Sequence, residues 1–143
     1  MNTKDIAMLI TEDPDVAESL RILILDDDPH PDDPDNFSKA GQFRIKAFKK
    51  KFIGHVVKWV RTAEQAIDEL ANNDWDVLFL DHDLGGEIYV DSGPGTGYEV
   101  AVWLEKNPDR QPPQIFLHSL NSVGRQNMQA ALPNATQTPF AWK

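Results

Sequence analysis

The chain has 143 residues, of which 41% are apolar and 26% charged, a composition typical of an ordinary globular domain. It contains no cysteine, which excludes disulfides, thiolate nucleophiles and cysteine-type zinc sites. The formal net charge of −9 argues against general DNA binding, because DNA-binding domains present a basic surface. No apolar run approaches the ~20 residues of a membrane span, and the acidic amino terminus does not resemble a secretion signal, so we expect a cytoplasmic protein.

The amino-terminal third combines a polar extension with a sharp change of charge. We expect residues 1–20 to form an extension with one or two short helical turns, ahead of a domain that spans 21–143. An acidic turn in 26–36 is followed directly by a basic segment in 39–51. Apolar residues recur at helical spacing in the basic segment, which predicts a helix over about 38–53. Its basic face is either solvated or attracts an anionic ligand.

Four short apolar runs predict strands that are buried on both faces, as in parallel sheets. The runs are Arg21–Leu25, His55–Arg61, Asp76–Leu80 and Gln114–Leu117. Amphipathic patterns after the second, third and fourth runs predict helices, and each begins at a side chain suited to capping. The caps are Thr62, Thr96 and Asn121. We place a fifth, edge strand at Thr138–Trp142.

Strands that alternate with amphipathic helices predict an α/β fold with a single doubly wound, five-stranded parallel sheet in the flavodoxin-like order 2-1-3-4-5. In that order strands 1 and 3 are neighbours, and ligands bind beyond their carboxyl ends. Polar residues follow the first, third and fourth strands at this edge. They are Asp26, Asp27, Asp81, His82, Asp83, His118 and Ser119.

Several carboxylates at one sheet edge repel one another unless some are protonated or a cation lies among them. Carboxylate oxygens are hard ligands that favour Mg²⁺ or Mn²⁺. We therefore predict a divalent-metal site, with Asp26, Asp27, Asp81 and Asp83 as its ligands. The later aspartates of the acidic turn are more typical of solvated acids that cap the next helix.

Two segments, RILILDDDP and DVLFLDHDLGG, resemble the first and third strands of response-regulator receiver domains. PQIFLHSL and TPF resemble the fourth and fifth strands, and the resemblance covers about residues 20–140. It implies that Asp26 and Asp27 bind metal and that Asp81 occupies the position of the phospho-accepting aspartate. His118 stands where receivers carry a switch Thr or Ser, and Thr138 stands in place of their lysine. The acidic pocket is therefore kept and the signalling switch is not.

The combination of LDHDLGG, GTGYEVAVWL and HSLN resembles the cyclic-phosphate processing receiver domains, a branch often found in phages and RNA-repair contexts. The resemblance implies a metal-dependent phosphoesterase or binding pocket for a phosphate ester, in particular a cyclic phosphate such as an RNA end. Asp81 would be a metal ligand or nucleophile and His118 a general acid or base, with Ser119 and His82 as further catalytic candidates. Two alternatives stay open: a phosphorelay receiver phosphorylated on Asp81, and a degenerate receiver that docks a partner protein.

Three further features allow a structural reading as well as a functional one. The glycine-rich loop Asp91–Gly97 leads into a helix amino terminus that could hold a phosphate, but it matches neither the Walker nor the dinucleotide-binding pattern. We interpret it as a flexible lid or a plain connection. Asn121 is interpreted chiefly as a helix cap, and His82 is expected to alternate away from the pocket if the third strand continues.

Overall fold

The computed structural model describes residues 19–27, 54–84, 90–119 and 121–138. This part of the chain contains five strands and three α-helices, with a short 3₁₀ turn at Pro108–Arg110. The strands are β1 (Arg21–Leu25), β2 (Val56–Val60), β3 (Val77–Leu80), β4 (Gln114–Leu117) and β5 (Thr136–Gln137). The helices are α1 (Ala63–Asn72), α2 (Gly97–Lys106) and α3 (Ser122–Ala131). None of these helices is long and apolar enough to cross a lipid bilayer.

The five strands form one sheet in the order β2-β1-β3-β4-β5, and every neighbouring pair is parallel. This confirms the predicted α/β, flavodoxin-like topology. Leu25 of β1 lies beside Leu80 of β3, which in turn lies beside Leu117 of β4. Because these three strands end in register, the residues that follow them meet at one edge of the sheet.

Side chains that alternate along each strand form two apolar clusters, one on each face of the sheet. Leu23, Leu25, Leu78 and Leu80 pack on one face against apolar residues of α1, α2 and α3. Ile22, Ile24, Val77, Phe79 and Phe116 form the cluster on the other face. Burial on both faces explains why the central strands are continuously apolar in sequence. The predicted helix at 38–53 lies outside the described residues, and so does the predicted extension at 1–20 except for Ser19 and Leu20.

Side-chain caps begin the three α-helices where the sequence predicts them. The hydroxyl of Thr62 accepts the N–H of Gln65 at 3.1 Å, and the hydroxyl of Thr96 accepts the N–H of Tyr98 at 3.3 Å. The amide oxygen of Asn121 accepts the N–H of Gly124 at 3.0 Å, which confirms the capping interpretation. The helices that follow the second, third and fourth strands are therefore positioned by local sequence signals.

The fifth strand lies earlier than predicted. We placed it at Thr138–Trp142, whereas the structure pairs Thr136 with Phe116 and Gln137 with Leu117. Of the predicted strand only Thr138 belongs to the described residues, and its N–H donates to Leu117 O at 2.8 Å. Leu132 and Ala135 are buried after α3 and bring the chain onto the sheet at once. A two-residue polar edge strand has no apolar pattern, so the sequence does not mark its position.

Candidate functional site

The carboxyl ends of β1, β3 and β4 place Asp26, Asp81 and His118 side by side. Each residue continues the backbone ladder by one step beyond its strand. The N–H of Asp26 donates to Val60 O at 3.1 Å, that of Asp81 to Leu25 O at 3.0 Å, and that of His118 to Leu80 O at 3.1 Å. The backbone therefore fixes all three positions relative to the sheet.

One potential ligand atom from each of Asp26, Asp81 and His118 lies within 4.8 Å of the others. We call these residues the edge trio. Nε2 of His118 and Oδ2 of Asp26 are 2.9 Å apart, and both side chains are 4% exposed. The two carboxylates supply hard oxygen ligands of the kind that Mg²⁺ and Mn²⁺ accept, and the imidazole lies beside them. The residues present therefore fit a Mg²⁺ or Mn²⁺ ion.

Electrostatics around Asp81 also favour a cation. Burial raises the pKa of Asp81 well above its usual range, and the negative charges of Asp26, Asp27 and Asp83 raise it further. The backbone N–H of His82 opposes these effects, because it donates a hydrogen bond to the carboxylate. A buried acid surrounded by like charges binds either a proton or a cation. The edge trio thus supplies both the geometry and the charge for metal binding.

Asp27 lies at the margin of the edge trio. It is half-buried, and its carbonyl oxygen accepts a hydrogen bond from Nη2 of Arg61 at 3.0 Å. Its charge is close enough to raise the pKa of Asp81. The structure therefore brings Asp27 near the predicted metal site, although its carboxylate is not among the three donors that converge within 4.8 Å.

His82 and Asp83 belong to a second network, directed toward α3. Nδ1 of His82 lies 2.8 Å from Oδ1 of Asp83, and Nε2 of His82 lies 2.8 Å from Oγ of Ser92. The amide Nδ2 of Asn121 donates to the same Asp83 oxygen at 3.1 Å and to Val90 O at 3.0 Å. Asp83 contributes charge to Asp81, but one of its oxygens is held by His82 and Asn121.

Two glycines allow the helices to start against the segment that carries Asp81 and His82. A Cβ atom on Gly97 would overlap the carbonyl oxygen of Asp81, and the N–H of Gly97 donates to His82 O at 2.9 Å. A Cβ atom on Gly124 would overlap the ring of His82. Only glycine permits such close approach, so α2 and α3 both depend on it at their first turns.

Ser119 lies between β4 and α3 and is 2% exposed. Its hydroxyl accepts the N–H of Asn121 at 3.1 Å, and its carbonyl oxygen accepts a hydrogen bond from Nη1 of Arg125. Nε of Arg125 also donates to Oε1 of Gln137 on β5, at 3.2 Å. This places a cation beside the end of β5, where Thr138 stands in place of the receiver lysine.

Sequence reasoning missed two of these residues as functional candidates. Ser92 was only part of a glycine-rich loop, and Arg125 was one polar residue in the first turn of a helix. No sequence motif includes either residue. Their hydrogen-bond partners lie on other secondary-structure elements, so only the structure identifies them. A serine ten positions after a histidine carries no local signal.

The chain matches the family of cyclic-phosphate processing receiver domains over residues 21–134. No curated protein gives a significant match to the chain. Known structures with a similar backbone are response-regulator receivers. The phosphorylated cyanobacterial phytochrome response regulator RcpA is 19% identical, with a TM-score of 0.55, and the match covers 85% of this chain and 81% of that one.

Two further receivers were solved with metal ions. The Mn²⁺-bound response regulator Rcp1 is 20% identical, with a TM-score of 0.53, over 83% of this chain and 80% of that one. The response regulator TrrA of Thermotoga maritima, solved with Mg²⁺-BeF, is 19% identical, with a TM-score of 0.53, over 83% of this chain and 86% of that one. These likenesses establish the backbone fold, and the family match covers most of the chain. The protein is therefore a member of the cyclic-phosphate processing receiver domain family, built on the response-regulator receiver fold.

Proposed function

We propose that this protein binds and processes a phosphate ester, in particular a cyclic phosphate, in a divalent-metal pocket at the carboxyl edge of its sheet. The observation that carries the proposal is the convergence of donor atoms from Asp26, Asp81 and His118 within 4.8 Å. The family description names cyclic-phosphate processing, which supports the substrate class. The pocket lies beyond the ends of β1 and β3, where this type of sheet binds ligands.

In this proposal Asp26 and Asp81 hold Mg²⁺ or Mn²⁺, and Asp27 and Asp83 add negative charge around them. When bound, the cation polarises a phosphoryl oxygen or activates a water molecule. Structures of the similar receivers Rcp1 and TrrA contain Mn²⁺ and Mg²⁺-BeF, respectively. The raised pKa of Asp81 supports the assignment, because a cation would relieve the repulsion that now favours a proton.

His118 is the proposed general acid or base. Oδ2 of Asp26 lies 2.9 Å from Nε2 of His118, so the carboxylate orients the imidazole ring. Both side chains are buried, which keeps competing water away from the transferred proton. Proton transfer by a positioned side chain accelerates a reaction by roughly 10²–10⁴-fold. Ser119 and His82 stay predictions as catalytic residues, since neither belongs to the edge trio.

The direct test is hydrolysis of a 2′,3′-cyclic nucleotide in the presence of Mn²⁺ or Mg²⁺, with the nucleoside monophosphate measured by chromatography. We expect turnover that stops when a chelator removes the metal. The matched control is Glu105→Gln, which removes an exposed acid from α2 and leaves the edge trio intact. Metal-dependent binding without turnover would make the protein a sensor. Neither binding nor turnover of any cyclic phosphate would contradict the proposal and favour a protein-docking role.

The phosphorelay alternative makes a different prediction at Asp81. A receiver uses its conserved lysine to pair with the phosphoryl group after transfer, and Thr138 carries no charge. We therefore expect beryllofluoride or acetyl phosphate to modify Asp81 weakly, with little structural change. Stoichiometric and long-lived phosphorylation of Asp81, with a clear conformational change, would favour the phosphorelay function instead.

A further inference from the structure

We propose that Ser92 is the activated nucleophile of a second reactive site, which accepts the acyl group of a short, uncharged carboxylic ester. The site consists of Ser92, His82 and Asp83, and we call it the serine triad. It shares no residue with the edge trio, and it does not rest on the proposed phosphate-ester function. The juxtaposition of these three side chains with a cavity carries the inference.

The serine triad forms a continuous hydrogen-bonded chain. Oδ1 of Asp83 lies 2.8 Å from Nδ1 of His82, and Nε2 of His82 lies 2.8 Å from Oγ of Ser92. An ionised carboxylate can only accept hydrogen bonds, so Asp83 places the ring proton on Nδ1. Nε2 then accepts the hydroxyl proton of Ser92. A carboxylate, an imidazole and a serine hydroxyl in this order form the arrangement that activates a serine nucleophile.

Neighbouring amides hold the serine triad in one conformation. Nδ2 of Asn127 donates to Oγ of Ser92 at 2.9 Å, so the hydroxyl proton is directed to His82 rather than to Asn127. Nδ2 of Asn121 donates to Oδ1 of Asp83 at 3.1 Å and fixes the orientation of that carboxylate. His82 is 0% exposed and packs against Gly124. Such preorganisation is what a reactive serine requires, because no reorientation precedes the reaction.

A cavity of about 290 Å³ lies between residues 90–92 and the first two turns of α3. Ser92 lines it on one side, and Val123 lines it on the other. First-turn N–H groups of a helix lack acceptors within the helix, so the proposal assigns the oxyanion site to the first turn of α3, at the N–H of Val123. The volume is at the lower end of small-molecule pockets, which favours a short acyl group.

The charge of the cavity selects an uncharged substrate. Among the described residues that line it, Asp91 carries a negative charge and none is a lysine or arginine. An anionic phosphate would meet this acid, and none of the described lining residues supplies a positive charge to balance it. A neutral ester avoids that repulsion, and its carbonyl oxygen becomes negative only in the transition state, where the N–H of Val123 stabilises it.

The proposed reaction balances with water as the co-reactant. Oγ of Ser92 forms a bond to the carbonyl carbon while its proton moves to Nε2 of His82. The bond between the carbonyl carbon and the alcohol oxygen then breaks, and Nε2 returns the proton to the leaving alcohol. Water repeats the two steps on the acyl-serine, which releases the carboxylic acid and restores the Ser92 hydroxyl.

The test is covalent labelling of the intact chain with a fluorophosphonate probe, whose fluoride leaves when a serine oxygen attacks phosphorus. Peptide mass spectrometry locates the adduct, and p-nitrophenyl acetate provides an ester substrate. We expect one adduct on Ser92, formed equally well with a chelator present. Ser92→Ala should abolish it, and Asp83→Asn should slow it by at least about tenfold. Ser19→Ala is the control, because Ser19 is exposed and bonds Gly54 O at the opposite edge of the sheet.

Two results would overturn the proposal. The first is no adduct on Ser92, or equal labelling of Ser92 and the exposed Ser122. The second is an unchanged labelling rate in Asp83→Asn. In that case the hydrogen bonds of Ser92 would only hold the loop against α3 and would not activate the serine. His82→Gln is a stronger change, but Ser92→Ala and Asp83→Asn decide the matter if that variant does not fold. A chelator stops cyclic-phosphate turnover and spares labelling, so failure of one proposal is distinguishable from failure of the other.

Discussion

Two buried histidine–aspartate pairs lie near the same edge of the sheet, and their surroundings differ. Asp26 and His118 are 92 positions apart in sequence and meet because β1 and β4 end in register around β3. His82 and Asp83 are neighbours in the chain and face α3. The first pair has a further carboxylate beside it, and the second has a serine hydroxyl.

The third partner of each histidine–aspartate pair therefore determines which chemistry the pair favours. Asp81 adds negative charge to the first pair, so the favourable ligand there is a cation. Ser92 gives the second pair a proton to remove, so the favourable chemistry there is nucleophilic attack. The two proposals therefore assign two kinds of chemistry to one sheet edge with the same two residue types.

The largest expected effect separates the two pairs completely. Asp81→Asn removes the central carboxylate of the edge trio, so we expect it to abolish metal binding and cyclic-phosphate turnover together. Labelling of Ser92 should persist, because the serine triad keeps all of its hydrogen bonds. A Mn²⁺ titration followed by the nucleotide assay checks the first part. Metal-dependent turnover in this variant would show that Asp81 is not required for metal binding, and the proposed difference between the two pairs would be wrong.

A smaller effect is expected at His118. His118→Asn keeps Asp26 and Asp81 as carboxylate ligands but removes the proposed acid or base, so turnover should fall at least about tenfold while metal affinity is nearly intact. Ser92→Ala should leave this turnover unchanged. Steady-state rates and Mn²⁺ affinity, measured on the same preparations, separate the two roles. Equal loss of metal affinity and rate in His118→Asn would instead make His118 a metal ligand.

Stability should distinguish the pairs through Gly124. In Gly124→Ala the new Cβ overlaps the ring of His82, and overpacking of this kind costs about 1–3 kcal/mol. Thermal unfolding should therefore occur about 2–12 °C lower, and labelling of Ser92 should slow. Gly93→Ala is the matched control, since nothing lies within 4 Å of a Cβ there. Identical melting of the two variants would mean that the His82 ring moves aside without cost.

The smallest expected effect is the metal-free stability of Asp81→Asn. The pKa of Asp81 is raised in the folded protein, so the folded state binds this proton more tightly than the unfolded chain does. Its favourable contribution is present below pH ~4 and is lost as pH rises through the folded pKa. At neutral pH the variant should therefore melt at a higher temperature than the wild type. Urea unfolding across pH should show this advantage shrinking toward pH 4, and a constant difference would contradict it.

The sequence predicts the sheet well because its signals are local. Apolar runs mark β1 and β3, caps such as Thr62 and Asn121 mark helix starts, and the topology then brings Asp26, Asp81 and His118 together. The edge trio was predictable because parallel strands end at a common edge. The position of β5 was not, since its polar residues carry no apolar pattern.

The serine triad could not be predicted, because it depends on hydrogen bonds between side chains of different segments of the chain. Sequence alternation indicates that His82 turns away from Asp81, but it does not indicate which side chain forms a hydrogen bond with the His82 ring. Ser92 forms this bond because Gly97 and Gly124 let both helices approach the 81–83 segment closely. Such contacts follow from packing across a loop, which local periodicity does not encode.

The measurement that tests the central claim most directly is an anomalous difference map from crystals soaked in Mn²⁺. We predict one strong peak at the carboxyl edge of the sheet, within bonding distance of carboxylate oxygens of Asp26 and Asp81. The same soak of Asp81→Asn crystals should show no peak. If millimolar Mn²⁺ gives no peak at this edge of the wild-type protein, the carboxylates hold a proton instead of a metal, and the proposed phosphate-ester chemistry loses its basis.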